Sequence, residues 1–170
     1  MNGMERCEEC GFEYDLGAAP AAGRGIADGV AEVNALVASA GDRLRRRPEP
    51  ATWSPLEYAC HLRDVLLVQR ERLLLGRRAE RPSLAPMGRD ERVEHDGYSE
   101  QDAADVTRQL KDAATMFVNV LSRLGPDDWK RTVMYNYPTP QERSLAWLAA
   151  HTLHEVRHHA LDVRRQVGAT

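Results

Sequence analysis

Apolar side chains recur at three- and four-residue steps through four long stretches of the chain, the signature of helices that each bury one face. In the first stretch, Ile26, Val30, Val33, Val37, Ala40 and Leu44 form one stripe, which predicts a helix from about Gly25 to Arg46. Pro48 and Pro50 end it, because proline lacks the amide a helix interior needs. The second start is the clearest. Ser54-Pro55-Leu56-Glu57 sets a capping serine, a first-turn proline and a glutamate three after the cap. That helix carries Leu62, Leu66 and Leu73 and is expected to reach about Leu75, with Gly76 as its stop. A third is expected from near Ser99, where Ser-Glu-Gln-Asp resembles a cap, to Gly125-Pro126, with a short extra turn at Asp127-Asp128-Trp129. The fourth runs from near Ser144 to about Val167, with Leu153, Val156, Ala160, Val163 and Val167 along its apolar face.

The connections differ in character. Residues 1–22 read as a loosely structured, flexible lead-in containing Cys7-x-x-Cys10-Gly11, and residues 23–170 as the folded domain. The stretch Arg77 to Gly97 is long for a connection, so it is expected to cross one end of the molecule and shape a site. Arg131 to Glu142, with Tyr135, Tyr137, Pro138 and Pro140, reads as irregular or hairpin-like. Four long helices and no convincing sheet predict an all-α four-helix bundle.

Composition narrows the function classes. With 170 residues, 42% of them apolar and 29% charged, the chain is an ordinary single-domain candidate. Its formal net charge of −3 offers no basic field for nucleic acid. No apolar run approaches the roughly 20 residues that a membrane span requires. The first residues, Met-Asn-Gly-Met-Glu-Arg-Cys, lack the apolar core of a secretory signal, and three cysteines do not suit a disulfide framework, so a cytoplasmic home is expected.

The candidate chemistry lies in histidines. Four of the six fall within His151-Thr-Leu-His154-Glu-Val-Arg-His158-His159, and a fifth, His61, lies in the second helix. His154 and His158, four apart, project from one helical face with Cβ atoms about 6 Å apart, close enough to share a divalent ion. They flank the apolar face of the last helix, as His61 borders that of the second. Such histidines are either hydrogen-bonded core residues or metal ligands. With His61 as third ligand they would leave open coordination positions, the property that separates a reactive metal from a structural one. Arg157 and His159 are expected to point away into solvent. Asp162, four after His158, is placed to orient that imidazole or to remain an exposed carboxylate. His151 fits a fourth ligand, an outer hydrogen-bonding group or an acid/base.

The Cys7/Cys10 pair is half of a zinc-ribbon pattern with no second pair. Three readings stay open: inert thiols, a metal site completed by histidines or across a dimer, and a redox pair. In one variant, either sulfur reaches the His61 ion and closes that site. Cys60 is turned about 100° from His61 and is expected in the core.

Trp53-Ser54-Pro55-Leu56-Glu57-Tyr58-x-x-His61-Leu62-x-Asp64, together with His154-Glu-x-x-His158-His159-x-x-Asp162, resembles the DinB/YfiT-like superfamily from about residue 25 onward. The resemblance implies a four-helix bundle of up-down-down-up topology, often homodimeric. It also implies a divalent metal held by His61, His154 and His158, and a histidine near the last motif that His151 matches. Several such proteins are metal-dependent transferases or isomerases using mycothiol or bacillithiol. The Trp-Asp-type loop sequence of similar chains is replaced here by Met87-Gly88-Arg89-Asp90.

Three neutral imidazoles would leave the ion's charge intact and acidify a bound thiol or water. Zinc suits the ligands best, and nickel and iron accept imidazole too. The expected function is a metal-dependent transferase or hydrolase acting on a small molecule with a low-molecular-weight thiol or water, His151 serving as proton carrier. The competing expectation is a non-catalytic or stress-associated protein whose metal staples the helices.

Overall fold

The computed structural model describes residues 6–168. Four long helices form the body: α1 (Ala22–Ser39), α2 (Pro55–Arg78), α4 (Ala103–Leu121) and α5 (Leu145–Val167), with a short α3 (Arg89–His95) between α2 and α4. α1 and α2 each pack mainly on α4 and α5, giving a four-helix ring. Its centre is built from fully buried side chains such as Ile26, Leu62, Leu66, Leu110, Phe117 and Leu148.

Local chemistry sets most boundaries. The Ser54 amide donates to Glu57 Oε2 at 2.8 Å while the Glu57 amide donates back to Ser54 Oγ at 3.4 Å, closing the expected capping box. Ser144 Oγ caps α5 by accepting from the Trp147 amide at 3.1 Å. Three expected boundaries are corrected. α1 stops at Ser39, because Gly41 takes a φ of +52° and starts a separate turn. α4 begins after Asp102, whose carboxylate accepts from the Asp105 amide at 3.0 Å, and Tyr98–Glu100 forms its own turn. α2 runs through Gly76, where a Cβ would lie 2.6 Å from Leu145 Cδ2. That glycine is a close-approach position. The helix end is finished by Arg131, which donates to the carbonyls of Gly76 and Ala79 at 2.7 and 2.8 Å.

The expectation of a purely α fold also needs correction. β1 (Ser83–Leu84) pairs in parallel with β2 (Thr132–Asn136), and β2 pairs antiparallel with β3 (Pro140–Ser144). Val133 and Tyr135 face inward from β2 while their neighbours are more exposed, the period-two pattern of a half-buried strand. Too short to show as a sheet signal, these strands brace one end of the bundle. Residues 6–21, where a loose lead-in was expected, fold on themselves through a bridge between Arg6 and Glu13, and their turn at Leu16–Ala21 packs on α5. No helix among the described residues is long and apolar enough to cross a membrane.

Candidate metal centre

The geometry of the site follows from the rotational phase of α5. Val156 and Val163 are fully buried, and Ala160 nearly so. α1 approaches this face closely because it carries glycine: a Cβ on Gly29 would lie 2.6 Å from Val156 Cγ1, and one on Gly25 2.9 Å from Leu153 Cδ1. With that stripe pinned, successive residues turn by about 100°. Two interleaved pairs, each four residues apart, then face different neighbours. Glu155 and His159 face α2, and His154 and His158 face the N-terminal segment.

His61 therefore meets Glu155 and His159, not His154 and His158. One donor atom from each of His61, Glu155 and His159 lies within 4.8 Å of the other two. His61 Nε2 is 3.8 Å and His159 Nε2 3.7 Å from the same oxygen, Glu155 Oε2. These separations are too long for hydrogen bonds and suit donors arranged around a cation with bonds of about 2.1 Å. His61 is 1% exposed, and neither of its ring nitrogens has a hydrogen-bond partner. A buried polar group left in that state is costly, and a coordinated ion removes the cost. His159 is buried as well, with Nδ1 2.9 Å from Asp162 Oδ2, the carboxylate–imidazole contact that fixes a metal ligand's tautomer and aim.

Two sequence expectations are thereby corrected: His159 is not solvated, and Asp162 holds His159 closely while standing 3.8 Å from His158 Nε2. Glu155 was missed. Its signal was present, a second four-residue pair shifted by one position from the histidine pair.

The electrostatics agree with a cation site. Burial pushes the His61 pKa down, holding the imidazole in the neutral form that binds metal. Burial also opposes charge on His159, but the carboxylates of Asp162 and Glu155 outweigh it and raise its pKa to about 9. Glu155 is held well below the usual carboxylate range: burial would raise its pKa, and the imidazoles of His154, His159 and His61 around it outweigh that burial. Aromatic rings wall the site, with Trp53 4.9 Å from His61 and Tyr58 5.1 Å from His159 between centroids.

His61 and Glu155 open onto a cavity of about 570 Å³. His151, Trp147 and Tyr14 line one wall, Tyr135, Tyr137 and Arg143 another, and residues 86–91 of the long connection complete it. The connection thus shapes the site as its length suggested. Arg72, also lining the cavity, is buried and forms no ion pair among the described residues; it donates to the Ala85 carbonyl at 2.5 Å.

The other pair on α5 joins the two cysteines. Cys7, Cys10, His154 and His158 each offer a donor atom within 4.8 Å of the rest. Neither sulfur reaches the His61 group, so the variant in which a cysteine closes that site is corrected. Burial raises the Cys7 pKa, yet the Cys10 backbone amide and the neighbouring His154 imidazole outweigh it and bring it down to about 6. Cys60 is fully buried in the core, as expected.

Comparison with known proteins places this architecture. The structure matches that of YfiT from Bacillus subtilis, described as a probable metal-dependent hydrolase with an unusual four-helix bundle topology, with a TM-score of 0.79 and 16% identity over 99% of this chain and 97% of that one. No curated protein matches the sequence. A family profile covers residues 28–163, and by it the chain belongs to the DinB superfamily.

Proposed function

We propose that this protein is a metal-dependent enzyme that activates a small nucleophile, a low-molecular-weight thiol or water, beside an anionic small-molecule substrate. One observation carries the reading: the imidazole of His61 is buried with both nitrogens without partners, and it faces Glu155 and His159 at the wall of a cavity large enough for a ligand.

His61, Glu155 and His159 would hold the ion, a donor set of two imidazoles and one carboxylate that is known from catalytic zinc sites with open positions. The ion would supply a Lewis acid that lowers the pKa of a thiol or water. The chain supplies the rest. Glu155 offsets one positive charge, so the centre is less strongly acidifying than three imidazoles would make it. Asp162 keeps the proton of His159 on Nδ1 and so frees Nε2. His151 faces the same cavity, with Nδ1 2.9 Å from the Tyr14 hydroxyl and Nε2 3.9 Å from Glu155 Oε1, a position suited to carrying a proton. Arg72 presents a buried positive charge suited to a substrate carboxylate or comparable anion. Tyr137 and Pro138, which line the cavity, would pack the apolar part of that substrate.

YfiT's description as a probable metal-dependent hydrolase supports a reaction of the water type, and the sequence resemblance supports thiol transfer. A single set of assays separates them. Zinc-loaded, metal-free and His61→Ala proteins are given an electrophile with mycothiol or bacillithiol, and separately a panel of esters and amides without thiol. Activity in one arm that needs both the ion and His61 supports the reading and selects the nucleophile. Equal rates for all three proteins in both arms overturn it.

A further inference from the structure

The cluster of Cys7, Cys10, His154 and His158 adjoins the His61 donors, with His154 Nδ1 3.5 Å from Glu155 Oε1, but shares no ligand with them and has no role in the reaction above. We propose that it is a second, structural metal site, a closed zinc centre that fastens the N-terminal segment to α5. Two thiolates and two imidazoles fill a tetrahedral shell and leave no position for a substrate, the mark of structural zinc.

The distances fit. Cys7 Sγ lies 3.7 Å from His158 Nδ1. Zinc bonds of about 2.3 Å to sulfur and 2.0 Å to nitrogen give a sulfur–nitrogen edge of roughly 3.6 Å in a tetrahedron. His154 Nε2 is buried without a hydrogen-bond partner, while its Nδ1 meets the Tyr14 hydroxyl at 3.0 Å. One ring nitrogen is therefore left for a ligand and the other is held from behind, as in metal-bound histidines generally. His158 Nε2 stands 3.5 Å from Glu9 Oε2 in the matching outer position.

The backbone is already bent to present both sulfurs. The Gly11 amide donates to the Cys7 carbonyl at 2.9 Å, and the Cys7 amide donates to the Phe12 carbonyl at 2.8 Å. Gly11 supplies a φ of +72° that a side chain would resist, so the Cys-x-x-Cys-Gly turn closes on itself. This gives the two interleaved pairs on α5 separate tasks. His154 and His158 anchor the N-terminal segment; Glu155 and His159 serve the cavity. The Tyr14 hydroxyl lies between His154 Nδ1 and His151 Nδ1, at 3.0 and 2.9 Å, so the anchored segment also positions a group beside the proposed proton carrier.

Metal analysis by native mass spectrometry, with cobalt substitution, tests the site. Wild-type protein is expected to hold two divalent ions per chain, the Cys7→Ser/Cys10→Ser double variant one, and His61→Ala the other one. Cobalt-loaded wild type and His61→Ala should show a thiolate-to-cobalt charge-transfer band, absent from the double cysteine variant. In wild type, Cys7 and Cys10 should react slowly with a thiol reagent until a chelator is added. Should the double variant fail to fold, the wild-type cobalt spectrum and thiol titration decide the matter alone. A cobalt-loaded wild type without that band, cysteines equally reactive with and without metal, or a double variant retaining both ions would overturn the proposal. The reading of the His61 centre survives such a failure, because its own ion is removed only by variants of His61, Glu155 or His159.

Discussion

The imidazoles of His61 and His159 meet edge to face, with centroids 5.0 Å apart and planes at 84°. Their Nε2 atoms converge on one oxygen of Glu155 from two helices far apart in sequence. Burial keeps His61 neutral, and a neutral imidazole gains little from such a meeting by itself. A cation bound among the three groups makes the arrangement favourable, because it satisfies buried nitrogens that otherwise have no partner.

Removing the carboxylate should therefore weaken the centre without unfolding the bundle. Asp162→Asn, which weakens the outer contact to His159, is expected to lower metal affinity about 10- to 100-fold. Glu155→Gln should lower it further, since it removes a charged ligand. Competition with a chromophoric chelator measures both, and far-UV circular dichroism should stay unchanged. Affinities equal to wild type in both variants would remove these residues from the site.

Tyr14 joins the Cys7/Cys10 cluster to the proposed proton carrier, through His154 and His151. Tyr14→Phe keeps the ring, stacked 5.9 Å from Trp147, and deletes the hydroxyl between His151 and His154. The expected result is weaker retention of the ion bound by Cys7 and Cys10 and a reduced kcat with a smaller change in KM. A variant with both quantities unchanged argues against any link through this hydroxyl.

Acid should loosen the start of α2. Glu57 is 2% exposed and accepts from Arg47 Nε at 2.9 Å and Nη2 at 2.6 Å, as well as from the Ser54 amide. Burial alone would raise its pKa, but these donors outweigh burial and lower it in the folded state. The stabilisation is thus fully present above the unfolded pKa and is lost as pH falls through the folded one. Because the Arg47 side chain is 38% exposed, the loss is discounted to about 1–2 kcal/mol. Urea unfolding between about pH 3 and pH 7 should show this acid limb in wild type and a flatter one in Glu57→Gln. Parallel limbs would contradict the assignment.

Gly76→Ala sets helix propensity against packing. Alanine gains about 0.5–1 kcal/mol within a helix. The new Cβ, however, would stand 2.6 Å from Leu145 Cδ2 and 3.1 Å from Val133 Cγ1, both in fully buried residues. Overpacking of this kind costs about 1–3 kcal/mol, so the variant should be less stable on balance. A midpoint of unfolding above that of wild type would show that Leu145 repacks freely.

Much of this was legible in the chain. The capping box at Ser54 and the serine before α5 act within three or four residues, and each formed where the pattern placed it. The structure brings His61 against the histidine-rich last helix, though against Glu155 and His159 and not the pair the spacing suggested. The β2–β3 hairpin falls where Arg131 to Glu142 read as irregular or hairpin-like; the pairing with β1 was not legible, because a two-residue strand acquires its partner from a distant part of the chain.

Sequence alone determined that α5 carries candidate metal-binding side chains at four-residue spacing, since helical periodicity is a local property of the backbone. It did not determine which pair faces His61. The pairs 154/158 and 155/159 differ by about 100° of rotation, and both border the same apolar stripe. Only the tertiary structure decided between them, through the close approach of Gly25 and Gly29 on α1 to Leu153 and Val156. That contact fixes the phase of the helix from outside it, and so turns Glu155 and His159 toward His61 and His154 and His158 toward the cysteines.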